Sequence, residues 1–179
     1  MAIRNTAMRH ESLLRAQSEA EYSAARVLFG EYAQQLGVDL TFQGFTAEVD
    51  ALECMYGPPG GVLLLALSDA DYLGCVGVRR LSSVACEMKR LYVRGSERRA
   101  GLGRALAGGA IDAARALGYR RMLLDTLPDM NAAQRLYHSL GFRQRGAYRR
   151  QTGPKLIYMQ LDLTPARPAV AAPPRLPDA

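Results

Sequence analysis

A chain of 179 residues, 49% hydrophobic and 22% charged, is long and apolar enough to pack as one domain without staples. Its net charge of +6 and pI near 9.5 point to an anionic partner, nucleic acid or a small polyphosphate, with a solvated basic surface as the plain alternative. Three cysteines (Cys54, Cys75, Cys86), two histidines (His10, His138) and no CxxC argue against a disulfide framework or a metal site, so the cysteines read as small buried hydrophobes of a reducing compartment.

Residues 1–10 have no periodicity and are expected as a flexible extension. They lack the apolar run of a signal peptide, and the longest apolar run, Val62 to Leu67, falls far short of the ~20 residues that span a bilayer. A cytoplasmic location without membrane contact is therefore expected. Residues 12–17 suit a short strand. From Glu19 to Leu36, Tyr22, Ala25 or Arg26, Phe29, Ala33 and Leu36 recur at helical spacing, and Gly37 can end the helix. Thr41 to Leu52 reads as a second, shorter helix. The cluster Gly57-Pro58-Pro59-Gly60-Gly61 is a loop.

The pattern then turns to strands. Residues 61–68, 72–81 and 86–93 are β-rich, with a hairpin turn over Ser68 to Asp71, so three antiparallel strands are expected. A long helix spans Leu102 to Leu117 and ends at Gly118. Residues 119–126 form a strand. Asp129 can cap a helix that runs to Leu140 and ends at Gly141. Residues 142–148 and 155–163 are final strands. The Pro/Ala-rich tail, 164–179, is expected to be disordered. Two helices, a meander, then strand-helix-strand-helix-strand-strand implies an α/β (α+β) domain over 11–163 with a mixed sheet covered on both faces.

The most informative stretch is LYVRGSERRAGLGRAL, residues 91–106. A strand ends, a basic turn follows, and glycines open a helix. The first turn of a helix leaves backbone N–H groups unpaired and carries partial positive charge. Gly101 and Gly103 allow close approach, so their N–H groups can point at a phosphate, with Arg98, Arg99 and Arg104 adding charge. A Walker loop is absent. A dinucleotide fingerprint fails because Leu106 stands where its third glycine belongs. A purely structural glycine turn is the rival.

Arg98-x-x-Gly101-x-Gly103 matches the Arg/Gln-x-x-Gly-x-Gly/Ala acetyl-CoA signature of the GNAT superfamily of N-acetyltransferases. CEMKRLYV (86–93) resembles the family strand leading into it, and MNAAQRLYHSLGF (130–142) resembles its A-x-x-L-Y-x-x-x-G-F helix. The resemblance covers residues 11–163, most strongly 61–142. It implies the GNAT fold: a mixed, mostly antiparallel sheet of six to seven strands, splayed at its centre to admit the cofactor's pantetheine arm. It also implies acetyl-CoA as acetyl donor, no metal, and a small-molecule or peptide primary amine as acceptor. Homodimerisation is common among relatives. Within Leu91, Tyr92 and Val93, backbone groups of Leu91 and Val93 would meet the pantetheine. Backbone groups of Arg98, Arg99, Ala100, Gly101, Leu102, Gly103 and Arg104 would hold the pyrophosphate. One departure is Met130, where many relatives carry Asn; Asn131 is one residue off and would face elsewhere on the helix.

The chemistry this implies is attack of an amine on a thioester in a ternary complex. A backbone N–H near Leu91 or Val93 would stabilise the developing oxyanion. Tyr137 alone reads as a core aromatic; the resemblance makes it the general acid for the leaving thiolate. A phenol near pKa 10 stays protonated at neutral pH, and a thiol near 8.5 makes the transfer only mildly uphill. A lysine-like amine near 10.4 is neutral in less than about one part in a thousand at pH 7, a deficit of roughly 4–5 kcal/mol, so a base is useful. Glu87 is that candidate. Alternation places Glu87, Lys89, Leu91 and Val93 on one strand face, and the resemblance sets Glu87 at the catalytic glutamate of histone acetyltransferase members. A shaping ion pair with Lys89 or an arginine is the rival role.

Asp125 and Thr126 end a strand near the expected cleft and read equally as lining the acceptor site or as a solvated strand end, with Tyr148 and Tyr158 expected at the acceptor's border. Arg143, Arg145, Arg149 and Arg150 read first as solvated hairpin charge, with an acidic substrate or the cofactor's phosphates as the functional reading. His138 reads as surface. A catalytically silent acetyl-CoA-binding domain is the first alternative. A nucleic-acid module is disfavoured, since no basic helix, zinc finger or aromatic RNA motif occurs.

Overall fold

The computed structural model describes residues 11–37, 40, 44–69, 71–95, 101–150 and 153–164. The flanking extensions expected at 1–10 and along the tail from 165 lie outside the described residues. Seven strands form one sheet in the order β1-β2-β3-β4-β5-β7-β6. They are β1 (Glu11–Arg15), β2 (Val62–Ser68), β3 (Asp71–Arg80), β4 (Ala85–Val93), β5 (Arg121–Thr126), β6 (Arg143–Arg145) and β7 (Ile157–Asp162). The first four run as an antiparallel meander; β5 then joins β4 in parallel, and β7 inserts antiparallel between β5 and β6. A parallel pair needs a crossover, and α4 (Leu102–Ala116) supplies it.

The helices cover both faces. α1 (Glu19–Leu36) starts at a capping box: Ser18 Oγ accepts from the Glu21 N–H at 3.3 Å while Glu21 Oε2 accepts from the Ser18 N–H at 2.8 Å. Its Tyr22, Ala25, Leu28 and Phe29 pack with Leu63, Leu65, Cys75 and Tyr92 on one face. On the other face, Leu106, Ala107, Ala110 and Ala114 of α4 and Tyr137 of α5 (Asn131–Ser139) pack on Leu64, Val76, Val78, Cys86, Met88, Met122 and Met159.

Three local expectations change. The single helix expected from Thr41 to Leu52 is two: α2 (Phe45–Asp50) and α3 (Leu52–Tyr56), broken at Ala51, with 41–43 outside the described residues. Glu48, Leu52 and Tyr56 are all buried. Cys54 is exposed, because α3 buries Leu52 and Tyr56 on its other side. The expected strand at 142–148 shortens to β6, which frees Tyr148 and Arg149 to fold over the sheet.

Candidate active site

The site is built on a break in β4. Cys75 pairs with Tyr92 and Gly77 pairs with Lys89, so Arg90 and Leu91 together stand opposite Val76. This is a β-bulge, and Arg90 takes φ 55°, a conformation non-glycine residues seldom adopt. Arg90 is buried. Its guanidinium donates to Glu48 at 3.0 and 2.6 Å and lies against the rings of Phe45 and Tyr32, 5.1 and 5.8 Å from their centroids. Tyr56 also donates its hydroxyl to Glu48, at 2.5 Å. Burial raises the Glu48 carboxyl, but the hydrogen bonds and charge of Arg90, helped by Tyr56, outweigh it and hold the carboxyl below its ordinary range.

The extra residue corrects the alternation expected along β4. Met88 and Val93, an odd number of residues apart, sit in the same core layer. Glu87 and Lys89 therefore face opposite to Val93. A single Arg with positive φ leaves no mark in the hydrophobic pattern.

Beside the bulge the sheet opens. The β4–β5 ladder runs from Ala85↔Arg121 to Glu87↔Leu123 and stops there. Beyond it lies a cleft of about 800 Å³, lined by Leu91, Tyr92 and Val93 on one side and by Met130, Asn131, Ala133 and Tyr137 on the other. Gly101, Gly103 and Arg104 close its end. Gly101 caps α4 at φ 78° without a side-chain cap, so the start of α4 offers backbone N–H groups to the cleft. Arg104 donates its own N–H to the Gly101 carbonyl at 3.0 Å and its guanidinium to Ser139 Oγ at 2.6 Å, tying α4 to α5. Leu102 turns into the core. Arg98, Arg99 and Ala100 lie outside the described residues. The strand end before them is fixed by Arg94, which donates to Glu31 of α1 at 3.0 and 2.7 Å.

Met130 and Asn131 both stand at the mouth of the cleft, and the Asn131 side chain donates back to the Asp129 carbonyl at 3.3 Å. Met130, not Asp129, is the helix cap. His138 is exposed, as expected.

Tyr137 is buried and packs on Phe142, with centroids 5.7 Å apart. Burial, with the charge effects of Tyr32 and Asp125 added, pushes its phenol well above the ordinary value, so it holds its proton at neutral pH. Tyr137 and Leu91 also line a second, smaller pocket with Lys89, Arg90, Asp125 and Thr126. Tyr32 of α1 borders both spaces. It was missed in the sequence, although 22, 25, 29, 32 and 36 keep the helical spacing better than a step through Ala33.

Glu87 lies in neither lining. It is fully buried beside Arg79, Leu123, Tyr148 and Arg149. Arg79 donates to Oε2 at 2.7 Å, and Tyr148 donates to Oε1 at 2.5 Å. Arg149 reaches the same Oε1 at 3.5 Å and donates to Asp125 at 2.7 Å. Arg149 is thus part of a buried network and not simply solvated hairpin charge.

The fold and sequence resemble those of known proteins. Residues 27–142 match the acetyltransferase (GNAT) family. A Schizosaccharomyces pombe protein named as an N-acetyltransferase is 40% identical over 141 residues, covering 78% of this chain and 86% of its own length. A Staphylococcus aureus acetyltransferase of the GNAT family superposes with a TM-score of 0.72 at 19% identity, covering 86% of this chain and 99% of its own. Salmonella typhimurium YncA, solved with its cofactor acetyl-CoA, superposes at 0.64 and 21% identity over 93% of this chain and 99% of its own. With the family matched across most of the domain and a relative this similar, the chain belongs to the acetyltransferase (GNAT) family of acyltransferases.

Proposed function

We propose that the protein transfers an acetyl group from acetyl-CoA to a primary amine of a small molecule or peptide, by direct attack in a ternary complex. The observation that carries this reading is the cleft at the β4–β5 parting, where Leu91, Val93, the α4 N-terminus and Tyr137 converge. The S. pombe relative's name and the acetyl-CoA of the YncA structure support it.

The residues present fit acetyl-CoA. A Cβ at Gly103 would meet only Val93 and Leu136, at 3.8 and 3.9 Å, so the helix start is open on its cleft side. Leu102 and Gly103, in the first turn of α4, would supply N–H groups to the pyrophosphate. Leu91 and Val93 would hold the pantetheine and orient the carbonyl. When bound, acetyl-CoA would supply an acetyl thioester for the amine to attack, with the C–S bond breaking as the C–N bond forms. Tyr137 would be the residue that holds a proton for the departing sulfur. Glu87 is the proposed base for the acceptor ammonium. Its carboxylate lies outside the Tyr137 pocket and is bonded by Arg79 and Tyr148, so this role would require a relay between the acceptor and Glu87.

Calorimetric titration with acetyl-CoA tests the cofactor. Micromolar-range binding followed by acetyl transfer to a member of an amine panel supports the reading; no binding ends it. Initial-rate lines that intersect support a ternary complex, and parallel lines refute it.

A further inference from the structure

The small pocket next to Tyr137 carries a polar atom that the fold leaves unmet. Thr126 ends β5, lines this pocket and is only 6% exposed. Its Oγ1 is buried with no hydrogen-bond partner among the described residues. A hydroxyl that gives up water without a new partner costs the folded protein stability, and a ligand atom that bonds it recovers that loss.

The rest of the lining restricts what such a ligand is. Leu36, Leu40, Met88, Leu91, Leu127 and Leu156 make the walls largely apolar. The ionic side chains among them are engaged: Lys89 lies 3.4 Å from Asp125, which also accepts from Arg149 at 2.7 Å, and Arg90 holds Glu48 at 2.6 Å. A charged group brought in would shed its water beside charges that already have partners, which is costly. A wholly apolar group would leave Thr126 unmet. An uncharged group with a hydrogen-bonding oxygen satisfies both conditions. The pocket offers about 40 Å³, room for a few atoms. It shares Leu91, Met130 and Tyr137 with the larger cleft, so a group seated in it is next to the place where the amine would react.

We propose that Thr126 is a specificity-determining residue whose hydroxyl bonds an uncharged oxygen, an amide carbonyl or an alcohol, close to the acceptor's amine. The acceptor is then an amino amide, such as the N-terminus of a peptide, or an amino alcohol, rather than a diamine or a free amino acid. This rests on the acetyl-transfer reading and narrows its acceptor.

The test compares kcat/KM for alaninamide, alaninol, alanine, diaminopropane and the apolar sec-butylamine, each corrected for the fraction of neutral amine at the assay pH. Wild type is expected to use the amide or the alcohol at least about tenfold better than the other three. In Thr126→Val, at unchanged acetyl-CoA affinity, the ratio of that acceptor to sec-butylamine falls by about tenfold, and in Thr126→Ser, which keeps a hydroxyl, it stays within about threefold of wild type. Amine basicity cancels when one ratio is compared across proteins. The amide and alcohol ratios are read separately, and the one that collapses in Thr126→Val identifies the oxygen. Because a methyl replaces an unmet hydroxyl, Thr126→Val should melt no lower than wild type. A lower melting temperature would show the hydroxyl already bonded in the free protein and overturns the proposal. Ratios untouched in Thr126→Val, or a wild-type preference for alanine, diaminopropane or sec-butylamine, overturn it too. Acetyl-CoA bound normally with neither amide nor alcohol acetylated overturns this proposal alone. Failure to bind acetyl-CoA removes the acetyl-transfer reading and this proposal together.

Discussion

Arg90 and Glu48 form a two-pronged ion pair inside the protein, at 3.0 and 2.6 Å, and Arg90 is the residue whose positive φ breaks the register of β4. The pair therefore joins α2 to the bulge that presents Leu91 to the cleft. Breaking one side of such a buried pair leaves the other charge uncompensated, at a cost of about 3–5 kcal/mol. Glu48→Gln is expected to lose stability on that scale, read as a lower urea midpoint with an unchanged slope. The pH dependence follows the same pair. Because Glu48 is held below its ordinary pKa, its contribution is present above about pH 4.3 and fades as pH falls through the lower folded value. Wild type should therefore lose stability below about pH 4 more steeply than Glu48→Gln.

Tyr56, the third member of that cluster, lies on Gly77 of β3 so closely that a Cβ there would overlap its ring. Gly77→Ala must displace the Tyr56 ring or the β3 backbone. Overpacking of this kind costs typically 1–3 kcal/mol. A thermal midpoint equal to wild type would show that the ring shifts freely and that its contact with Glu48 contributes little.

The sequence made some of this legible and hid the rest for physical reasons. The start of α4 could be read because its signals are local: a strand end, arginines and two glycines within a few residues. The meander and both helix-covered faces followed from period and punctuation. The bulge could not be read, because Arg90 is held by Glu48, 42 residues earlier in the chain. Alternation thus carried Glu87 to the face of Val93, and the extra residue moved it to the other. The same limit applied to Arg149, whose burial depends on Asp125 and Glu87 from two other strands.

The two glycines at the start of α4 should respond differently. Gly101 has φ 78°, and a Cβ there costs roughly 1–2 kcal/mol of backbone strain. Gly101→Ala is expected to lower stability by that amount. Gly103 has a helical backbone with space around it, so Gly103→Glu is expected to fold but to place a carboxylate in the proposed pyrophosphate site. Calorimetry should show acetyl-CoA binding lost in Gly103→Glu at a near-normal melting temperature. Retained binding would remove the helix start from the cofactor site.

Glu87→Gln separates base from scaffold. If Glu87 takes the acceptor's proton, the variant loses about 10²–10⁴-fold in kcat/KM and the acidic limb of its pH profile changes. If Glu87 only holds Arg79 and Tyr148, stability falls while the shape of the pH profile stays. An unchanged profile rejects the base assignment.

Tyr137→Phe is the most direct test of the chemistry. The ring's packing on Phe142 and the lining it gives both pockets are kept, so fold and acetyl-CoA affinity should be near wild type. Only the hydroxyl is removed. Burial holds that hydroxyl protonated far above neutral pH, so in wild type it is available as a donor throughout the working range and should set no basic limb of its own there. Loss of a general acid costs about 10²–10⁴-fold in turnover. The loss should shrink for an acyl donor with a less basic leaving thiol, which departs without needing the proton. Near-normal turnover with acetyl-CoA in Tyr137→Phe would remove Tyr137 from the mechanism and leave the thiolate to be protonated by water.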